Sequence, residues 1–238
     1  MTREILNSSW SLESKFAAAV ERIFQVLNQQ APSAPLVVAL CGGRSVVGIL
    51  QALLSESTSQ PPELLRRVHF FMVDERIAPL THPDSNFGGL AQQLFESLVE
   101  QGRITRDQLH PICITAPDAD SACADYMREL EGFGGAFSVV VLGMGEDGHV
   151  AGLFPHHPAL SVAGSRFIPF FDSPKPPAAR VTASRELVTG AQLAVLLAIG
   201  EGKRAAWNDF NDSSVPVERC PAKLVDSMPR CVVVSDLL

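Results

Sequence analysis

The chain has 238 residues, of which 46% are hydrophobic and 19% charged, and a formal net charge of −7. That acidic balance argues against a general nucleic-acid-binding face, which would be basic. The hydrophobic share is ordinary for a packed globular protein, and no apolar run reaches membrane-spanning length.

Residues 12–29 place Leu12, Phe16, Ala19, Val20, Ile23 and Leu27 at helical spacing, which predicts an amphipathic helix ended by 31–35. Residues 36–40 read as a short buried strand, 41–45 as the turn after it and 46–54 as a helix. A second strand is expected at 68–73, followed by a long polar loop to about residue 83. Asp84 or Ser85 can cap a helix running to about residue 100, and Asp118 or Asp120 can start another through 131. Residues 139–142 and 192–199 are strongly apolar strands, 201–210 a helix, and 231–235 a last strand. Strands alternating with helices imply a parallel sheet covered on both faces, an α/β fold. No Pro/Gly/Ser linker divides the chain, so 1–238 is expected to be one domain, with DSPKPPAA (172–179) a surface loop within it. The N-terminus lacks a signal-peptide core, which gives the expectation of a cytosolic protein. Cys41, Cys113, Cys123, Cys220 and Cys231 are odd in number and contain no C-x-x-C pair. Reduced, mostly buried thiols are expected rather than disulfides or a zinc site.

Five places in this pattern can do chemistry. The apolar run 137–142 breaks into Gly143-Met144-Gly145, and the turn delivers Glu146, Asp147 and His149. Loops at the carboxyl ends of buried parallel strands are where α/β proteins place their sites. An imidazole there can take a proton from water at neutral pH and return it later. Asp147 can orient that imidazole or contact substrate hydroxyls, and the N–H groups of 143–148 can stabilise an oxyanion. Gly42-Gly43-Arg44-Ser45, between a strand and a helix, can present N–H groups to an anion or serve as a plain tight turn. Cys41 beside it has no base nearby in sequence and reads as a buried thiol. Asp74-Glu75-Arg76 is either a solvated charged loop or a site for the fork of donors on Arg76. Arg180 and Lys203 lie at element boundaries. Glu146, Asp147, His149, His156 and His157 suggest a metal cluster, but their spacing fits no standard ligand pattern, so no metal is expected.

GMGEDGHVAGLFP resembles the signature of 6-phosphogluconolactonases. LCGGRSVVGIL (40–50), VDERIAPLTHPDSNFGGL (73–90), RVTAS (180–184) and GEGK (200–203) match the same family in order. The resemblance implies a Rossmann-like doubly wound, mostly parallel sheet and hydrolysis of 6-phospho-D-glucono-1,5-lactone, with neither cofactor nor metal. It implies His149, Asp147 and Arg76 as catalytic residues, and Gly42, Gly43, Arg44, Ser45, Arg180 and Lys203 as phosphate or substrate contacts. The partner is then a small phosphosugar lactone, with no nucleic acid or membrane; monomer and dimer both remain open. Family members usually carry an SGGSTP-like segment where this chain has Cys41, Arg44 and Val46. A glycine is common at the position of His156, and His157 corresponds to a family histidine with a structural role. The nearest rival, glucosamine-6-phosphate deaminase, shares a GxGxDGHxA segment but continues with a glutamate, whereas 151–158 hold no carboxylate. A phosphosugar-binding regulator without catalysis is the alternative from another class.

Overall fold

The computed structural model describes residues 2–114 and 118–237, without the side chains of Thr2 and Arg44. The chain opens with strand β1 (Thr2–Ile5) and helix α1 (Leu12–Asn28). Ser11 starts α1 by accepting the Ser14 N–H, and Ala19, Val20, Ile23 and Leu27 form its buried stripe. Then come β2 (Leu36–Leu40), α2 (Val47–Ser57), α3 (Pro62–Leu65), β3 (Val68–Met72) and β4 (Asp74–Arg76). Helices α4 (Asn86–Leu90) and α5 (Glu96–Glu100) are joined by a π-helical stretch, Ala91–Phe95. The remaining elements are β5 (Leu109–His110), α6 (Ala119–Glu131), β6 (Val139–Gly143), β7 (Phe167–Phe170) and β8 (Arg180–Ala183). They are followed by α7 (Arg185–Thr189), β9 (Leu193–Ala198), α8 (Arg204–Asn211) and β10 (Arg230–Ser235).

Seven strands form one sheet in the order β1-β10-β9-β6-β2-β3-β5, and every pairing in it is parallel. Every residue of β2 and β9 is buried. Helices cover both faces, so these strands show apolar runs instead of alternation. Leaving out β1, the succession of strands across the sheet is the 3-2-1-4-5-6 order of doubly wound folds. The order reverses between β2 and β6, which pair from Val38↔Val139 to Leu40↔Val141. The chain leaves both carboxyl ends on the same side, opening a crevice at the reversal.

The expected main strands and helices are all present. Ser85, rather than Asp84, caps α4, accepting the Gly88 N–H at 3.0 Å. The expected helix at 46–54 begins with one 3-10 turn, Arg44–Val46, before α2. One expectation needs correction. Residues 74–76 are not loop but strand β4, which pairs antiparallel with β8, and β8 pairs in turn with β7. This small sheet joins the end of β3 where the Ala183 N–H donates to the Val73 carbonyl at 2.8 Å. The triplet is not solvated either: Asp74 and Glu75 are 5% and 2% exposed. The Glu75 carboxylate accepts the N–H groups of Asn86 (2.7 Å) and Phe87 (2.8 Å) and the Ser85 hydroxyl (3.1 Å). Its role is to close the amino end of α4. Among the described residues, no helix is long and apolar enough to cross a membrane. All five cysteines are free, and only Cys113 is exposed.

Candidate active site

The turn after β6 folds back on itself. The Gly145 N–H donates to the His149 carbonyl (2.8 Å) and the Gly148 N–H to the Gly145 carbonyl (3.1 Å). Gly148 takes a φ of +84°, where a side chain is strained. Gly145 is needed for space: a Cβ there would lie 2.1 Å from His149 Nδ1 and 2.7 Å from Asp147 Oδ1. Those two side chains therefore lie directly over the glycine, with His149 Nδ1 2.5 Å from Asp147 Oδ1. A carboxylate accepts only, so Nδ1 carries the proton and the neutral imidazole presents Nε2 as the base. The imidazole rests on Phe154, 4.5 Å between ring centroids, and is 18% exposed. Burial by itself raises the Asp147 pKa. The His149 hydrogen bond and charge, with Lys175 Nζ at 3.4 Å, outweigh burial and hold the carboxyl well below the usual carboxylate range.

Most backbone donors of this turn are already engaged. The Gly143 N–H donates to Cys41 Sγ (3.1 Å), and the Met144 N–H to the Leu197 carbonyl (3.0 Å). With Gly145 and Gly148 bonded inside the turn, the N–H groups of Glu146 and Asp147 are the two in 143–148 without an acceptor among the described residues. Cys41 is a strut between the β2 and β6 ends. Burial, then the charge of Asp74, pushes its thiol up to about 12, which makes it a poor nucleophile.

The turn after β2 faces the β6 turn across the crevice. Gly42 is pressed against Asn86, whose Oδ1 would lie 1.9 Å from a Cβ, while Gly43 at φ +100° borders open space. Lys203, ahead of α8, reaches this turn: its Nζ donates to Ser45 Oγ at 2.6 Å. Two expected phosphate contacts that are far apart in sequence thus meet. The side chain of Arg44 lies outside the described residues.

Arg76 and Arg180 are cross-strand partners in the β4–β8 pair. Arg76 donates from Nη1 to the Asp84 carbonyl (2.7 Å), and its buried Nε has no partner among the described residues. Arg180 is 5% exposed and binds the proline-rich loop, donating to the carbonyls of Pro176 (3.0 Å), Pro177 (3.1 Å) and Lys175 (3.3 Å). Burial, then the charge of Arg76, lowers its pKa. Reading the sequence assigned no function to Lys175; its only signal was a cation within a proline-rich segment.

His157 works locally. Its Nδ1 accepts the Ala159 N–H (3.2 Å), and Nε2 lies 3.1 Å from Asp172 Oδ1. His156 is exposed at φ +57°, a left-handed conformation that glycine adopts most readily. No group of three or more His, Cys, Asp or Glu among the described residues is placed to hold a metal ion.

Asp74 is the group that reading the sequence left aside. It is buried, and its Oδ1 has no hydrogen-bond partner among the described residues. Burial raises its pKa against the opposing pull of Arg76, Arg180, His149 and Asn86. The unfolded chain ionises this carboxyl near the usual value and the folded chain only at higher pH. Burial therefore penalises folding above the unfolded value, increasingly until the folded value is passed. Asp74→Asn is expected to raise the urea midpoint at pH 8, by an amount that shrinks as pH falls towards 4. Urea titrations at both pH values check this; a less stable variant at pH 8 contradicts it.

Comparison with known proteins agrees with this layout. The profile described as glucosamine-6-phosphate isomerases/6-phosphogluconolactonase matches residues 11–233. The 6-phosphogluconolactonase of Borreliella burgdorferi is 32% identical over 202 residues, 84% of this chain and 83% of that protein. The crystal structure of 6-phosphogluconolactonase from Thermotoga maritima superposes with a TM-score of 0.78 at 25% identity, covering 98% of this chain and 99% of that one. A monomeric glucosamine-6-phosphate deaminase superposes equally well, with a TM-score of 0.79, but at 16% identity, and covers 100% of this chain and 98% of that one. The backbone alone therefore does not separate the two activities. From the glycine-cradled Asp147–His149 pair to the profile spanning nearly its whole length, the chain belongs to the glucosamine-6-phosphate isomerase/6-phosphogluconolactonase family.

Proposed function

We propose that this protein hydrolyses 6-phospho-D-glucono-1,5-lactone to 6-phosphogluconate, with His149 as the base that activates water. The observation that carries the reading is the 2.5 Å contact between Asp147 and His149 Nδ1 at the strand-order reversal. It leaves Nε2 as the ring nitrogen able to take the water proton, while Ser45 and Lys203 meet at the turn after β2. Nε2 takes a proton from water as the water oxygen bonds to the lactone carbonyl carbon. The N–H groups of Glu146 and Asp147, with Arg76, stabilise the resulting oxyanion. The bond from the carbonyl carbon to the ring oxygen then breaks, and the imidazolium returns its proton to that oxygen. The new carboxylic acid ionises, releasing one proton per turnover.

The phosphate is anchored by Lys203, Ser45 and the N–H groups of the Gly42–Gly43 turn, continuing into the start of α2. Holding the distant end fixes the carbonyl against Nε2, which is itself a source of rate. Arg180, expected from the resemblance among the substrate contacts, acts here through the loop it holds. Ester hydrolysis moves no electrons to an acceptor, so the reaction requires no redox cofactor.

Supplying the lactone and glucosamine 6-phosphate separately tests the assignment. Lactone consumption without ammonia release from the amino sugar is expected. Ammonia release with no effect on the lactone would assign the deaminase reaction instead.

A further inference from the structure

The proline-rich loop at 172–178 lies against the site and is held from several sides. Its first residue, Asp172, pairs with His157. The Ser173 N–H donates to the Ala178 carbonyl at 3.1 Å, which closes the loop at its base. The Ser173 hydroxyl donates to the Lys175 carbonyl (2.8 Å) and accepts the Lys175 N–H (3.3 Å). The buried Arg180 guanidinium takes the carbonyls of Lys175, Pro176 and Pro177. This scaffold fixes the loop backbone, Lys175 included, and the Lys175 ammonium comes 3.4 Å from the same Asp147 oxygen that faces His149 Nδ1.

We propose that Lys175 is a positioning residue for His149: from the loop, its charge shares the Asp147 carboxylate and limits how strongly that carboxylate holds the imidazolium. This rests on the reading of His149 as the base. A base that protonates too readily is idle at neutral pH, and an acid partner left alone favours the protonated ring. A cation beside the shared oxygen opposes that preference, while the hydrogen bond still sets the tautomer.

The bland alternative is a surface ion pair of no consequence, since Lys175 and Asp147 side chains are 36% and 32% exposed. The anchoring of the loop speaks against it, because a lysine serving only solubility needs no buried arginine beneath its backbone. The other charged groups around the pair come from different elements. Asp74, at the start of β4, interacts electrostatically with His149. Glu146 faces Gly202, 3.1 Å from a Cβ placed there, and the Arg180 guanidinium lies over the Phe154 ring, 5.5 Å from its centroid. Replacing Lys175 alone keeps every one of these groups in the chain.

The test uses Lys175→Met and Lys175→Arg in the whole protein. The His149 ring is titrated by NMR without substrate, and kcat/KM for the lactone is measured against pH. In Lys175→Met, the ring midpoint and the acid limb of kcat/KM should both move up by about 0.5–1 pH unit, the size of one partly screened charge at this range. Lys175→Arg should leave both within about 0.2 unit of wild type, because the charge is kept. An unmoved midpoint in Lys175→Met overturns the proposal, as does an equal shift in Lys175→Arg, which would mark a loosened loop. Lys175→Gln serves if the methionine variant does not fold. An acid limb in the wild type that fails to follow the His149 ring would instead remove His149 as base, while the ring titration would still judge Lys175.

Discussion

Replacing His149 with alanine is expected to lower kcat by roughly 10²–10⁴-fold, the range for lost acid–base assistance. KM should change little, because the phosphate end binds elsewhere. The expectation comes from the geometry at Gly145. The glycine admits the imidazole and the Asp147 carboxylate side by side, and the hydrogen bond between them fixes the tautomer that leaves Nε2 as the base. Alanine at 149 leaves Asp147 in contact with Lys175 but with no group able to take the water proton. Steady-state kinetics on the purified variant decide the matter, corrected for the spontaneous opening of the lactone. Near wild-type kcat would take His149 out of the mechanism.

The second large effect is expected at Lys203. Lys203→Ala should lower kcat/KM for the phosphorylated lactone roughly ten- to a hundred-fold, since a charged hydrogen bond contributes about 1.5–3 kcal/mol. Turnover of unphosphorylated gluconolactone should change much less. The reason is positional. Lys203 approaches from just ahead of α8 and meets Ser45 in the turn after β2, whereas the imidazole is carried by the turn after β6. Rates on both lactones for wild type and variant separate anchoring from chemistry. Equal damage to both substrates would show that Lys203 supports the fold or the reaction itself.

The main sheet was legible because its strands are buried on both faces. Runs such as 139–142 and 193–198 carry no polar alternation, and that signal survives without tertiary context. The small sheet was not legible. β4 consists of three charged residues, Asp74–Arg76, and it is a strand only through its pairing with β8, far along the chain, with the buried Glu75 bonded to the start of α4. β7 contains Pro169, which an edge strand tolerates but a sequence pattern counts against. β1 and β5 are short, and register with neighbours defines them rather than composition.

The site divides in the same way. Asp147 and His149 are close in sequence, so the glycine turn announced them together. The resemblance implied Ser45 and Lys203 separately as phosphate contacts, but the hydrogen bond between them, which joins the ends of β2 and β9, was not legible. The approach of Lys175 to Asp147 was not legible, because it depends on Arg180 gathering three carbonyls of the loop. The restriction of free N–H groups to Glu146 and Asp147 likewise required the bonds made by Gly143, Met144, Gly145 and Gly148.

The most direct measurement is proton release from freshly prepared 6-phospho-D-glucono-1,5-lactone at neutral pH, followed with wild-type protein, with His149→Ala and with buffer alone. The account predicts release far above the buffer rate with wild-type protein, proportional to its concentration, and a return close to background with the variant. Wild-type release no faster than buffer would contradict the central claim and leave a phosphosugar-binding protein without catalysis.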